Sequence, residues 1–260
     1  MLFVLSPAKA LDFDTPAPAQ LPHTLPAFTE DAALLIERLR REPPQGVARL
    51  MDLSDKLAAL NVARYAQWSP QATAANAKQA ILAFDGDVYD GLSAKNLALD
   101  DLAWLQDHVR ILSGLYGVLR PLDWMQPYRL EMGTALDTPR GQNLYQFWGP
   151  RIAQHLKQDL AQQGGTPVLI NLASQEYFKS VDTRVLGARV IECVFQDHKA
   201  GQYKIISFFA KRARGLMARF AAQQRIDQPE GLQTFDAEGY RFCPEASDSD
   251  RWVFRRRVES

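Results

Sequence analysis

The sequence contains few of the residues on which metal and redox sites depend. Its 260 residues include two cysteines, Cys193 and Cys243, and four histidines. The cysteines are not in CxxC spacing and both fall in predicted strands, so we interpret them as reduced structural thiols. The histidines and carboxylates lack the spacing of a zinc or iron site. We therefore expect no metal and no cofactor.

Long apolar runs are also missing. No segment approaches the roughly 18 consecutive apolar residues of a membrane-spanning helix. The N-terminal segment MLFVL lacks the basic residues of a signal peptide, and it predicts a buried strand. The content of 47% hydrophobic and 23% charged residues is ordinary for a globular protein. We expect a cytoplasmic protein with no membrane partner and no obligate protein partner.

Familiar catalytic motifs are absent: there is no GxSxG elbow, no Walker loop and no GxGxxG after a predicted strand. What recurs instead is a serine close to a cation, in the pairs Ser6/Lys9, Ser54/Lys56, Ser113/Arg120 and Ser207/Lys211. Such pairs suit a phosphate group, but they do not by themselves provide a general acid and base.

The chain carries 30 basic and 30 acidic residues, so its formal net charge is zero. The charges are nevertheless segregated, because no acidic residue lies between Asp197 and Asp227, where seven lysines and arginines occur. A second basic run occupies residues 255–257. Segregation of this kind can produce a positive face on a neutral molecule, although an ordinary solvated surface gives the same pattern.

The requirements of the fold alone explain least about the composition of one segment, residues 112–133 (LSGLYGVLRPLDWMQPYRLEMG). The glycines and prolines interrupt any long helix. Arg120 and Arg129 lie among aromatic residues, a combination that suits a flat anionic ligand such as a nucleotide or nucleic acid. The alternative is an irregular connection whose arginines cap helix ends.

Strand patterns at both termini and in the middle of the chain, without a repeat or a clean linker, predict one mixed α/β (α+β) domain over residues 1–260. We expect a central mixed sheet flanked by helices. Strands are predicted at 2–5, 167–172, 189–195, 203–208, 239–243 and 251–258. Helices are predicted from residue 29, over 45–52, 54–67 and 74–83, from 100 to 112, over 144–163 with an interruption at Pro150, and over 209–224.

The helices at 45–52 and 54–67 have the outline of a helix-hairpin-helix, an element that holds a DNA phosphate with backbone N–H groups. An ordinary pair of helices is the alternative explanation of this pattern. Ser54 is the predicted N-cap of the second helix, which also carries Lys56 and Arg64. The glycine pair usual in such a hairpin is missing.

Several long motifs in order resemble the YaaA family of bacterial peroxide-stress proteins. They are LSPAK (5–9), LSDKLA (53–58), AFDGDVYDGL (83–92), the segment 112–133, NLASQEYFKSV (171–181) and KIISFFAKRARGLMARF (204–220). The resemblance implies a cytosolic protein that protects against hydrogen peroxide and limits damage from loosely bound iron. It also implies one unusual α/β fold with a helix-hairpin-helix in a positive cleft, and binding of DNA. We place this element at about residues 46–66. Since no iron ligands are evident, we interpret the iron effect as indirect.

The first functional hypothesis is a sequence-independent binder of double-stranded or structured DNA. The expected phosphate contacts are Lys9, Ser54, Lys56, Arg64, Arg120, Arg129, Lys204, Lys211 and Arg214, and the expected base-stacking residues are Tyr116 and Tyr128. The alternative is an enzyme acting on a nucleotide or on DNA, with Glu131, Asp87 or Glu176 as acid–base candidates. A direct iron-binding role is the third possibility.

Overall fold

A computed structural model describes residues 1–257 of the chain. The strands are β1 (Leu2–Leu5), β2 (Ala10–Leu11), β3 (Lys78–Gln79), β4 (Phe84–Asp85), β5 (Val109–Ser113), β6 (Gly117–Leu119), β7 (Trp124–Met125), β8 (Val168–Leu172), β9 (Arg189–Lys199), β10 (Gln202–Lys204), β11 (Arg241–Phe242) and β12 (Arg251–Arg256). The α-helices are α1 (Thr29–Leu39), α2 (Pro44–Met51), α3 (Asp55–Gln67), α4 (Ala80–Ala83), α5 (Asp87–Leu92), α6 (Leu99–His108), α7 (Leu144–Trp148), α8 (Arg151–Gln163), α9 (Gln175–Phe178), α10 (Thr183–Leu186) and α11 (Ser207–Gln224). Short 3-10 helices occupy Ala94–Asn96, Pro229–Thr234, Ala237–Gly239 and Pro244–Ala246.

Within residues 1–257 the central sheet has eight strands in the order β11-β12-β9-β8-β1-β5-β6, with β10 paired to β9 beyond the end of β8. Strands β12, β9, β8, β1 and β5 are parallel, whereas β6, β10 and β11 pair antiparallel. The C-terminal ends of the five parallel strands therefore meet at one edge. The mixed α/β fold with a central sheet is confirmed.

Burial explains why β1, β5 and β8 form strands. Every residue of these three strands is buried, as expected for parallel strands covered on both faces. The buried apolar side chains form one cluster that runs from Met1 to Phe254. No helix in the described part of the chain is both long and apolar enough to cross a membrane. The single domain over residues 1–260 remains a prediction.

Two helix predictions are wrong. Over residues 74–83 only α4 is helical, because Lys78–Gln79 pairs with Trp124–Met125 as strands β3 and β7. The helix predicted from 100 to 112 ends at His108, and the next five residues form β5 in the middle of the sheet. The predicted strand at 203–208 is shorter than expected, since α11 already begins at Ser207. The predicted strand 251–258 corresponds to β12, Arg251–Arg256, and its last residue, Val258, lies outside the described residues.

The helix pair α2 and α3 lies where the sequence predicts it, but a helix-hairpin-helix is not shown. The connection spans residues 52–54, and Asp52 takes the left-handed conformation (φ 51°, ψ 57°) at the point where glycine is favoured. Ser54 Oγ accepts a hydrogen bond from Leu57 N at 3.5 Å, which confirms the predicted N-cap.

Helices α5 and α11 pack backbone against backbone. A Cβ at Gly91 would lie 2.1 Å from Arg212 O, and one at Gly215 would lie 1.8 Å from Val88 O. Only glycine permits this separation at either position. The glycine of the DVYDGL motif and that of the KRARGLMARF motif are thus accounted for by this helix contact.

Candidate functional site at the C-terminal edge of the sheet

Three serines mark the ends of three neighbouring strands: Ser6 after β1, Ser113 at the end of β5, and Ser174 after β8. Ser174 N donates a hydrogen bond to Ser6 Oγ (2.8 Å), and Ser6 Oγ donates to Ser174 Oγ (3.3 Å). The chain places β5 on one side of β1 and, later in the sequence, β8 on the other side. The C-terminal end of β1 is therefore a topological switch point, where open α/β sheets commonly bind ligands.

Residues 128–131 cross the ends of these strands. The hydroxyls of Tyr128 and Ser113 are 2.6 Å apart. A Cβ at Gly114 would lie 2.2 Å from Leu130 O, so the segment lies directly on the turn after β5. The Tyr65 hydroxyl of α3 donates to the carbonyl of Arg129. The two halves of the segment 112–133 are therefore folded against each other, with α3 alongside.

Ion pairs hold two of the predicted phosphate-binding cations at this edge. Glu131 Oε1 lies 3.1 Å from Lys9 Nζ and 3.2 Å from Arg129 Nη2. Lys9 is exposed (69% of its side chain), whereas Arg129 and Glu131 are largely enclosed (16% and 17%). Glu176 accepts a hydrogen bond from Gly133 N at 2.9 Å. Two acid–base candidates, Glu131 and Glu176, thus come to the same edge.

The third acid–base candidate, Asp87, also lies near this edge. Gly86, which precedes it, packs on the loop after β1, because a Cβ there would be 3.4 Å from Ala8 Cβ. Asp87 Oδ2 lies 3.8 Å from Lys211 Nζ of α11. Lys204 is the last residue of β10, three positions before α11 begins, and its side chain is exposed.

Burial keeps the phenols around the site neutral. It raises the pKa of Tyr65, Tyr128 and Tyr177 above the ordinary value. Burial also raises the pKa of Tyr116 to about 12, opposed by hydrogen bonds from Gln126 N and from the Trp68 indole to its oxygen. These groups can donate or accept hydrogen bonds, but they do not supply a phenolate near neutral pH.

The predicted base-stacking residues are inside the protein. Tyr116 is 2% exposed and Tyr128 is 5% exposed, and their rings pack against each other edge to face with centroids 5.5 Å apart. A base would reach either ring only after a rearrangement of the segment 112–133.

Two predicted phosphate contacts lie elsewhere. Arg120 follows β6, which runs antiparallel to β5, so it lies at the opposite edge of the sheet, where it contacts Asp123 (3.1 Å). Arg214 faces the sheet from α11, and burial lowers its pKa while nearby Glu192 opposes that shift. The Arg214 Nε is buried without a hydrogen-bond partner.

Lys56 and Arg64 lie on α3, eight residues apart, or about 12 Å along the helix axis. Lys56 and Ser54 are exposed at the start of the helix. Arg64 is half-buried near Arg129. The nine predicted phosphate contacts are therefore divided between the C-terminal edge, α3, the opposite edge and the interior.

The cluster at the opposite edge was not found from sequence. Arg110 Nε donates to Asp159 Oδ2 at 2.6 Å, and His155 Nε2 lies 3.5 Å from the same oxygen. These residues and the Arg120–Asp123 pair line a cavity of about 310 Å³. His155 and Asp159 are four residues apart on α8, whereas Arg110 comes from β5, so no local spacing in the sequence connects Arg110 to this pair.

No group of three or more histidines, cysteines or carboxylates in residues 1–257 is arranged to hold a metal ion. Cys193 is buried, and burial raises its pKa to about 12, so the thiol stays protonated. Cys243 is half-buried and free.

Comparison with known proteins gives a consistent result. The family model described as "Peroxide stress protein YaaA" matches residues 1–246. A "UPF0246 protein" from Paracidovorax citrulli is 66% identical over 257 residues, covering 99% of each chain. Proteins of the same name from Albidiferax ferrireducens and Delftia acidovorans are 64% and 63% identical, covering 98% and 99% of both chains.

Proposed function

The chain belongs to the peroxide stress protein YaaA family, and we propose that it serves the peroxide-stress response by binding double-stranded or structured DNA in the cytoplasm. Binding relies on phosphate contacts and not on base recognition. The observation that carries this proposal is the β9–β10 hairpin, whose tip stands beyond the end of β8 with cations that have no carboxylate partner among residues 1–257.

The hairpin has the form and charge of a DNA-contacting ribbon. Lys199 and Lys204 are exposed on its two strands, on the same face of the hairpin, and the exposed Tyr203 lies opposite His198 on the other face. The Arg255 guanidinium lies over the Tyr203 ring, 4.6 Å from its centroid, which adds a third cation beside the tip. A two-stranded ribbon fits the major groove of DNA, and lysines on it would neutralise phosphates at the groove walls.

Lys9 and Lys211 extend the basic surface along the edge. Their carboxylate partners are 3.1 and 3.8 Å away, and both lysine side chains are at least half exposed (69% and 52%). Ion pairs of this kind contribute little stability, so a phosphate can replace the carboxylate at small cost. Arg129 is enclosed with Glu131, and it supports the segment more than it offers a contact. Ser54 and Lys56 at the start of α3 provide a further contact in this proposal.

The test is the salt dependence of affinity for a fluorescent duplex of about 20 base pairs, measured from 50 to 300 mM salt. Log affinity should fall linearly with log salt, with a slope of about −0.9 per phosphate neutralised. The variant Lys204→Gln should reduce the magnitude of the slope by about one. A matched control is Lys157→Gln, an exposed lysine on α8. A salt-independent affinity of the wild-type protein would contradict the proposal.

A second candidate, an enzyme acting on a nucleotide or on DNA, is favoured by one observation: Glu131, Asp87 and Glu176 all lie at the C-terminal edge. Incubation with nucleotides and with damaged DNA, with and without Mg²⁺, tests it by chromatography of the products. Product that disappears in Glu131→Gln would support an enzyme, and no product from the wild-type protein would remove this candidate.

A further inference from the structure

A cavity of about 620 Å³ lies beside α3, away from the hairpin proposed to contact DNA. Its walls come from the end of α3, from the loop before β3, from β7 and from the proline-rich segment 13–23. This volume is within the range of small-molecule sites in proteins, about 300–1,000 Å³.

The proline-rich segment is fastened at both ends, so the cavity has a defined outer wall. Lys78 Nζ donates to the carbonyls of Asp12 and Thr15, each at 2.7 Å. Further along, Gln79 Nε2 donates to the carbonyls of Leu21 (3.3 Å) and Pro22 (3.1 Å). Both anchors come from the two residues of β3, and both are buried side chains. The intervening residues, 16–20, span the cavity between these anchors.

Arg64 lines this cavity as a cation without a counter-ion. No carboxylate of residues 1–257 lies within 4 Å of its guanidinium, and its one side-chain hydrogen bond within these residues runs from Nη1 to Asn61 Oδ1 at 3.5 Å. Burial is the main cause that lowers its pKa, and the charge of Arg129 acts in the same direction. Two unfavourable influences on one cation are relieved when an anion binds beside it.

An aromatic surface faces the same cavity. His23 stacks on Trp124 with ring centroids 3.4 Å apart and planes within 3° of parallel. His23 is exposed and Trp124 is half-buried, and both line the cavity with Arg64. Phe13 and Leu21 add apolar surface to the wall.

From these contacts we propose that the cavity binds a small planar ring that carries one anionic group, with Arg64 paired to the anion and the His23–Trp124 stack against the ring. The anion is a phosphate or a carboxylate, since the guanidinium fork pairs with either. This site is separate from the proposed DNA surface, because its walls include none of the residues assigned to that surface: Lys9, Ser54, Lys56, Lys199, Lys204 and Lys211. If the protein does not bind DNA, the proposal of a ligand site in this cavity is unaffected.

Calorimetric titration of the full chain tests the proposal with two probes, adenosine monophosphate for the phosphate and indole-3-acetate for the carboxylate. A ligand of this size in a preformed cavity should bind with a Kd of about 10–100 µM. Arg64→Gln should weaken binding of the anionic probe about tenfold to hundredfold, because a charge-assisted contact is lost. The neutral counterparts, adenosine and indole-3-ethanol, should be insensitive to this change.

Two further variants separate the site from an effect on folding. Arg49→Gln removes an exposed arginine of the neighbouring helix α2 and should bind the probes like the wild-type protein. His23→Ala alters an exposed side chain and should weaken both the anionic and the neutral ring. The probe that binds identifies the anionic group. The proposal would be overturned if neither anionic probe bound at 5 mM. It would also be overturned if the wild-type protein and Arg64→Gln bound the anionic probe with equal affinity.

Discussion

Each of the two edges of the central sheet holds an ion pair between a basic residue and an aspartate, and the two pairs differ in burial and geometry. At the edge formed by the N-terminal ends of the parallel strands, Arg110 and Asp159 are 7% and 12% exposed, and Arg110 Nε lies 2.6 Å from Asp159 Oδ2. At the C-terminal edge, Lys211 and Asp87 are 52% and 26% exposed and 3.8 Å apart. The first pair is enclosed and geometrically fixed, whereas the second remains open to exchange its partner.

This difference shows why a basic residue in the sequence is a poor guide to its role. Arg120 and Lys9 both follow a strand and both have a serine nearby in the sequence. Arg120 is 38% exposed and contacts the buried Asp123, whose pKa is raised by burial, while Lys9 is 69% exposed and contacts Glu131. The direction of the preceding strand and the enclosure of the partner carboxylate thus distinguish the surroundings of these two cations.

The largest expected difference between the edges is in stability. Asp159→Ala leaves the buried Arg110 without its carboxylate and should lower the free energy of unfolding by about 3–5 kcal/mol. Asp87→Ala removes an open pair and should cost less than about 1 kcal/mol. Urea unfolding followed by circular dichroism measures both values. Equal losses in the two variants would show that the edges do not differ as described.

A smaller difference should appear in DNA binding. Lys9→Gln should reduce the magnitude of the salt slope for duplex binding by about one, since one phosphate contact is lost. Arg120→Gln should leave the slope unchanged, because Arg120 lies at the other edge. Fluorescence anisotropy at several salt concentrations measures the slopes, and thermal unfolding of Arg120→Gln confirms that the variant is folded. A reduced slope in Arg120→Gln alone would reverse the assignment of the edges.

The smallest expected difference is in pH dependence. Burial lowers the pKa of His155 from 6.5; Arg110 and Arg120 act in the same direction, and Asp159 and Asp123 oppose it. The folded protein therefore favours neutral His155, and this contribution to stability is present above pH 6.5 and lost as the pH falls through the lower folded value.

In His155→Gln the unfolding free energy should accordingly fall less between pH 7 and 5 than in the wild-type protein. Urea unfolding at each pH measures the difference. Burial also lowers the pKa of His108. Because His108 is present in both proteins, its contribution to the pH dependence of stability should be the same in both. An unchanged pH profile would place the acid sensitivity elsewhere.

Local patterns in the sequence predict much of the fold. The apolar run of β1, the interruption at Pro150 between α7 and α8, and the Ser54 cap of α3 are all confirmed. The error at residues 109–112 has a physical cause. Leu102, Leu105, Val109 and Leu112 continue a helical spacing, and a short apolar run does not distinguish a buried strand from a helix.

The arrangement of the site could not be predicted in the same way. The Tyr116 hydroxyl is bonded by the indole of Trp68, 48 residues away in sequence, and this contact places the tyrosine in the core. Arg64 likewise lines a cavity to which residues 13–23, distant in the sequence, also contribute. Contacts between distant segments leave no periodicity or spacing in the sequence, so the burial of these residues is visible only in the folded chain.

The glycine contact between α5 and α11 has a mechanical consequence. Side chains between packed helices normally act as a compliant layer that absorbs small displacements, and at Gly91 and Gly215 that layer is missing. Helix α11 starts three residues after the basic hairpin, and α5 starts against the loop that carries Lys9. The hairpin and the loop that carries Lys9 are therefore joined through two helices whose backbones are in direct contact, with no side-chain layer between them at these two glycines.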